Sequence, residues 1–285
     1  MIRMSRIFVC MICGGVLLSY GCSKNPKEAN KNAKTEVSVS QTQTINTASG
    51  TNLAQTTNAQ SNREAKGVDN SAIEAIRRAT EGNKYVFLFF YKKGDEKSNK
   101  MRQVITRVKG ELSAKANFVN IDVAEQSAQA MIKKYGIDRA PIPITLVMAP
   151  NEAIVTGFPN EVSEDKLRNA FVSPKMAEIV KAIQDRKLVF LLVTNDKMKY
   201  SKENIAVVEQ VTANELQGRA EVIVVDPRDE REISLLKQCR IDPNVKETML
   251  LYINGGRIMC KSSGRLTHDG LLQEIKTGCS PSGCK

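Results

Sequence analysis

The chain has 285 residues and a formal net charge of +11. At roughly 100–150 residues per domain, that length suggests two domains. Hydrophobic residues make up 41%, enough to bury cores, while aromatics are 5% with no Trp, which excludes an aromatic-rich binding surface. The positive charge is not a nucleic-acid signature, because residues 1–22 carry an excess of +2 and residues 23–66, 67–174 and 175–285 carry +3 each. A groove reader concentrates Lys and Arg on one element. No nucleic-acid partner is expected.

Arg3 and Arg6 precede an apolar run from Ile7 to Leu18, followed by Ser19-Tyr20-Gly21-Cys22. A basic start, a short apolar stretch and small residues before a cut site describe an export signal over residues 1–21. The run is too short for a hydrocarbon core of about 30 Å, which needs roughly 20 residues. Gly21-Cys22 resembles a bacterial lipoprotein box. That resemblance implies lipidation of Cys22 and a mature chain anchored to a membrane, on its periplasmic or cell-surface side. The family pattern prefers Leu three residues before the Cys and Ala or Ser two before it; here Ser19 and Tyr20 stand there, and Ser19 and Gly21 also suit ordinary signal cleavage. Residues 22–66 are rich in Asn, Thr, Ser, Gln, Ala and Lys and hold no aromatic after the Cys. Such a stretch buries too little apolar surface to offset its ordering entropy and is expected to be a disordered linker.

The folded part is expected from residue 67. Asp69 or Asn70 can cap a helix bearing Ile73, Ile76 and Ala79 on one side. Tyr85–Phe90 is a predicted buried strand, and Met101, Val104, Ile105, Val108 and Leu112 are spaced for a helix. A strand is predicted over Phe118–Val123, a helix over Ser127–Tyr135, and strands over Ile144–Ala149 and Ile154–Phe158. A closing helix over Ser163–Phe171 completes a β-α-β-α-β-β-α order. The pattern then recurs. Phe118–Asp122 aligns with Val222–Asp226 and Ile137-Asp138 with Ile241-Asp242, both offset by 104, while Lys84–Phe87 meets Lys187–Phe190 at 103. One supersecondary unit therefore occurs twice, over 67–173 and 174–277, with Pro174 at the join and a short tail over 278–285. Asn254-Gly255-Gly256 fits a hairpin turn before the last strand of the second copy.

Tyr135-Gly-Ile137 followed by Pro141, Pro143 and the strand Ile144–Val147 resembles the thioredoxin fold, which places a similar turn there, then a cis-proline, then a strand. The fold class implied is α/β: two tandem thioredoxin-like domains, each a central mixed sheet flanked by helices. Either Pro141 or Pro143 could be the cis-proline, whose neighbouring backbone contacts extended peptides in that family.

Thioredoxin chemistry needs two cysteines separated by two residues at a helix N-terminus, where the helix dipole lowers the thiol pKa. Laid back from Lys100-Met101, the family's tract puts Glu96 and Asn99 at the cysteine positions, Lys97-Ser98 between them, and Phe90 where a buried Asp is expected. The second copy offers Lys199–Lys202, again without Cys. Glu96, Lys97, Ser98, Asn99, Pro141 and Pro143 are thus candidate residues for contacting a peptide or polar ligand. The plainer alternative is a solvated loop with helix-start charges.

Four cysteines remain late in the chain. Cys239 and Cys260 belong to the second copy, either as buried apolar residues or bridged to one another. Cys279-Ser-Pro-Ser-Gly-Cys284 could close a local disulfide, act as a redox pair or offer two thiolates to a soft metal. The only His, His268, is expected on the solvent side of a helix start, so no complete metal site is expected, and no cofactor. The combined reading is an envelope-anchored, redox-silent module that binds a peptide or protein partner or serves as a scaffold. The alternative is a thiol-disulfide protein using Cys279 and Cys284.

Overall fold

The computed structural model describes residues 72–277. The signal segment, Cys22, the linker and the tail with Cys279 and Cys284 lie outside the described residues. In chain order the elements are a helix over 72–81 (α1), β1 (Tyr85–Tyr91), α2 (Glu96–Leu112), β2 (Ala116–Asp122), α3 (Gln129–Tyr135), β3 (Ile144–Met148), β4 (Ile154–Pro159) and α4 (Glu164–Arg168). The second half repeats them as α5 (Pro174–Gln184), β5 (Leu188–Val193), α6 (Ser201–Asn214), β6 (Ala220–Val225), α7 (Ile233–Gln238), β7 (Met249–Asn254), β8 (Arg257–Ser263) and α8 (His268–Thr277). The sheets are ordered β2-β1-β3-β4 and β6-β5-β7-β8. In each, the first strand runs parallel to its βαβ partner and antiparallel to the third, which pairs antiparallel with the fourth.

The central strands read as unbroken apolar runs because helices cover both of their faces. On β1, Val86, Leu88 and Phe90 pack with Ile76 and Ala79 of α1 and Met131 and Tyr135 of α3. Phe87 and Phe89 point the other way, to Met101, Ile105 and Val108 of α2. On β5, Val189, Leu191 and Val193 meet Ile179, Ile183 and Leu236, while Phe190 and Leu192 meet Val208, Val211 and Leu271. Sheet register confirms the doubling. Tyr85 pairs with Ala116 and Leu188 with Ala220; Val86 pairs with Met148 and Val189 with Ile253. The offset between copies therefore runs through 103, 104 and 105 on successive strands of the sheet and returns to 104 at Ile154 and Ile258. Gly255 and Gly256, at φ 56° and 81°, make the tight hairpin turn between β7 and β8.

Two local expectations change. Ile73 is 49% exposed, and Ala72 takes the inward position with Ile76 and Ala79. The first copy's closing helix is only α4, five residues long, against ten for α8. Aromatic packing and the next helix cover what it leaves bare. Phe171 meets Tyr85 edge-on at 5.0 Å and Phe87 at 5.9 Å. The Tyr85 hydroxyl donates to the Val172 carbonyl at 2.7 Å, pinning the segment that leads into α5.

Helix α5 serves both cores. Ala177 and Val180 sit in the first copy's cluster, whereas Ile179, Ala182 and Ile183 sit in the second copy's, and Met176 touches both. Its N-terminus is well satisfied: Pro174 at the first helical position lacks an N–H, Lys175 N–H donates to Glu232 Oε1 at 3.0 Å, and Met176 N–H donates to Ser173 Oγ at 3.3 Å. At its other end, Gln184 Nε2 donates to the Ile154 carbonyl at 2.8 Å and Gln184 Oε1 accepts from the Ile154 N–H at 3.1 Å. Gln184→Ala strips both partners from Ile154 and should lower stability by about 1–3 kcal/mol in urea denaturation; an unchanged midpoint would show that this amide clamp contributes nothing.

Candidate functional site

In an open α/β sheet ligands bind outside the carboxyl ends of the strands, which makes the loop between the first strand and its helix the candidate. In the first copy this is Lys92–Asp95, entering α2. Asp95, in extended conformation, is the N-cap: Ser98 N–H donates to Asp95 Oδ2 at 2.7 Å and the Ser98 hydroxyl donates to the same oxygen at 2.8 Å. Lys92 N–H closes the ring by donating to Ser98 Oγ at 3.2 Å. Ser98 is fully buried, while Glu96, Lys97 and Asn99 are exposed. Glu96 pairs with Lys100 across one helical turn at 2.7 Å. The two positions three apart that open this helix are therefore Asp95 and Ser98, one residue earlier than Glu96 and Asn99. Phe90 is fully buried beside Tyr135, with ring centroids 6.4 Å apart.

The Asp95 carboxyl titrates below the usual range because the backbone N–H and the hydroxyl of Ser98 hold its anion. Beside the loop, the Ile142–Pro143 peptide is cis, which distinguishes Pro143 from Pro141. Pro143 is buried and Pro141 exposed. The Pro143 carbonyl accepts from Asn160 N–H at 2.7 Å, and Thr145, two residues on, donates its hydroxyl to Met101 Sδ of α2 at 3.3 Å. The preceding turn is set by Gly136, whose left-handed φ of 65° ends α3.

The second copy keeps the frame and changes its contents. Ser201 occupies the place of Ser98 and is buried. Sheet register puts Thr248 where Pro143 stands: its carbonyl accepts from Gly264 N–H at 3.1 Å, the counterpart of the Asn160 bond. The Thr248 and Thr194 hydroxyls are 2.8 Å apart, and Thr248 also donates to the Lys199 carbonyl at 3.2 Å, which ties the loop down onto the strand. Asn204 replaces Met101; it is fully buried, donates to the Gly264 carbonyl at 2.7 Å and accepts from Leu266 N–H at 2.8 Å. Sequence reasoning missed the capping role of Asp95, and Thr194, Thr248 and Asn204 altogether. The repeat offset was the signal that could have found the last three.

Cys239 and Cys260 lie on opposite faces of the second sheet. Cys239, at the C-cap of α7, packs with Ile179, Leu235 and Ile241, and its thiol titrates high because it is buried. Cys260, on β8, packs against the cluster that holds Phe190, Tyr252 and Leu271, on the α8 side. A bridge between them is not formed: Cys239 is a free thiol and Cys260 is disulfide-bonded. His268 is the first residue of α8, with Nδ1 3.4 Å from Asp269 Oδ1. Among the described residues no group of three or more His, Cys, Asp or Glu is placed to hold a metal ion, and no helix is long and apolar enough to cross a membrane.

Two outcomes test the loops. A carboxyl held below its unfolded pKa stabilises the fold above the ordinary Asp range near about 4, and that contribution is lost as pH falls through the lowered value. Asp95→Ala should therefore lower the urea midpoint at pH 7 and have a smaller effect at pH 3. Thr248→Val leaves Thr194 Oγ1 without its partner and should cost about 1–3 kcal/mol, read by thermal or urea unfolding.

A family model described as a thioredoxin-like domain matches residues 73–169. No curated protein sequence matches the chain. Among solved structures, the chain is similar to the germline-specific thioredoxin Deadhead of Drosophila melanogaster, with 22% identity over 35% of this chain and 85% of that one, at a TM-score of 0.28. It is also similar to the NTD_N/C domain of alkylhydroperoxide reductase AhpF from Enterococcus faecalis, with 14% identity over 75% and 98%, at 0.25. Human ERp44 form II is 14% identical over 73% of this chain and 56% of that one, at 0.33. With the matched segment folded as β1 to α4 and the same strand order repeated in β5 to β8, the chain carries two tandem thioredoxin-like domains.

Proposed function

We propose that this is a redox-silent, envelope-anchored thioredoxin-like protein that binds an extended peptide or protein segment with its first domain. The observation that carries the reading is the content of the two helix-opening loops. Asp95 and Ser98 satisfy one another where dithiol chemistry would need two cysteines, and the second loop is bound to Thr248. Neither position can form a mixed disulfide, since attack requires a thiolate. The first domain keeps exposed Glu96, Lys97, Asn99 and Pro141 around the Ile142–Pro143 backbone, a polar rim beside a rigid strand end. The anchor rests on the signal-like start and Cys22.

The full chain should reduce a disulfide-bonded protein substrate no faster than its external thiol reductant does alone. Appreciable turnover would sink the redox-silent half of the reading. On titration with an unstructured peptide, amide NMR shifts should concentrate at Lys93–Asn99 and Ile142–Ile144. Shifts confined to the second domain, or none at saturating peptide, would sink the binding half.

A further inference from the structure

We propose that the outer margin of β2 is a second docking site, which takes an extended acidic segment of a partner protein as an added strand. β2 is the outermost strand of the first sheet and pairs only with β1. The Tyr85 N–H donates to the Lys115 carbonyl and the Val123 N–H to the Tyr91 carbonyl, both at 2.9 Å. In a parallel ladder that alternation turns the backbone groups of Asn117, Val119 and Ile121 toward β1 and leaves those of Ala116, Phe118 and Asn120 facing outward.

The margin is unguarded. Edge strands are commonly closed by Lys, Pro, a bulge or a covering element. Ala116–Asp122 contains neither Lys nor Pro, and its register with β1 runs without a break. The opposite margin of the same sheet has both a register shift against β3 and the Gln184 amide at Ile154.

A groove of about 390 Å³ lies along the start of β2, with Ala75 and Arg78 of α1 on one side and Lys109 of α2 on the other. The strand edge is its floor. Half-buried Phe118, stacked on Phe87 at 4.8 Å, belongs to the α2 face, and half-buried Val119 to the α1 face. Each wall therefore carries a cation. Lys109 has no ion pair among the described residues, and Arg78 has one, its Nε 3.7 Å from Glu74 Oε1 with the side chain 65% exposed. Successive side chains of an added strand point to opposite faces, so two adjacent acidic residues reach one cation each. A second copy of β2 is a poorer match, since its seven residues hold one acid, Asp122, and it brings Arg78 and Lys109 with it. The groove lies at the amino ends of the strands, opposite the loop before α2, so the two docking sites stand or fall separately.

The probe is a short peptide of alternating Val and Thr with Asp-Glu at its centre, set against the same peptide with Asn-Gln there. On titration of the full chain, the acidic peptide should shift the amides of Ala116–Asn120, and the neutral one should bind about three- to tenfold more weakly. Arg78→Gln combined with Lys109→Gln should abolish that difference while the urea midpoint stays in place. Equal affinities for the two peptides, or shifts confined to Lys93–Asn99, would overturn the proposal. So would Phe118 and Asn120 amides already protected from hydrogen exchange in the free chain, because the margin would then be occupied by the chain itself or by a second copy.

Discussion

Everything in this molecule depends on α5 burying two faces at once. A helix in the opening position of a thioredoxin-like repeat needs one apolar stripe, and Ile179, Ala182 and Ile183 supply it for the second domain. Ala177 and Val180 add a second stripe, displaced around the helix, that completes the first domain. The first domain can therefore end in a helix of five residues, because the next domain's first helix covers its core. Ser173, Pro174 and Glu232 satisfy the helix start, so the segment joining the domains is itself tied into the structure by hydrogen bonds.

On that shared frame the two helix-opening sites have diverged in opposite directions. Both retain a small buried serine under the first turn, at Ser98 and Ser201. The first site gives its serine to Asp95 and leaves charged side chains in water around a cis peptide. The second fills the equivalent space with hydroxyls and an amide, so that Thr194, Thr248 and Asn204 connect strand, loop and helix start to one another. Its polar groups are spent on the protein itself.

The fold was largely legible in the sequence, because buried central strands such as Tyr85–Tyr91 and Leu188–Val193 write themselves as apolar runs and the repeat aligned without gaps over its middle. The site was less so. Pro141 and Pro143 are equivalent on paper; the cis peptide and the burial of Pro143 beside the strand start at Ile144 distinguish them. The pair that opens the helix is Asp95 and Ser98 and not Glu96 and Asn99, because the cap is the side chain that reaches the Ser98 amide. Ile73 misled because Ala72 fits the inward position beside the strand. On β8, Arg257–Ser263 has too little alternation to reveal its faces, so the separation of Cys239 from Cys260 could not be read.

Gln184 has a consequence beyond the strength of its two hydrogen bonds. β4 is an outer strand, and such strands present a row of unused donors and acceptors to any passing chain. At Ile154 those groups are already occupied by an amide that imitates a single residue of a neighbouring strand. The helix that joins the domains thus also closes the start of this margin of the first sheet, at the one residue where strand and helix meet.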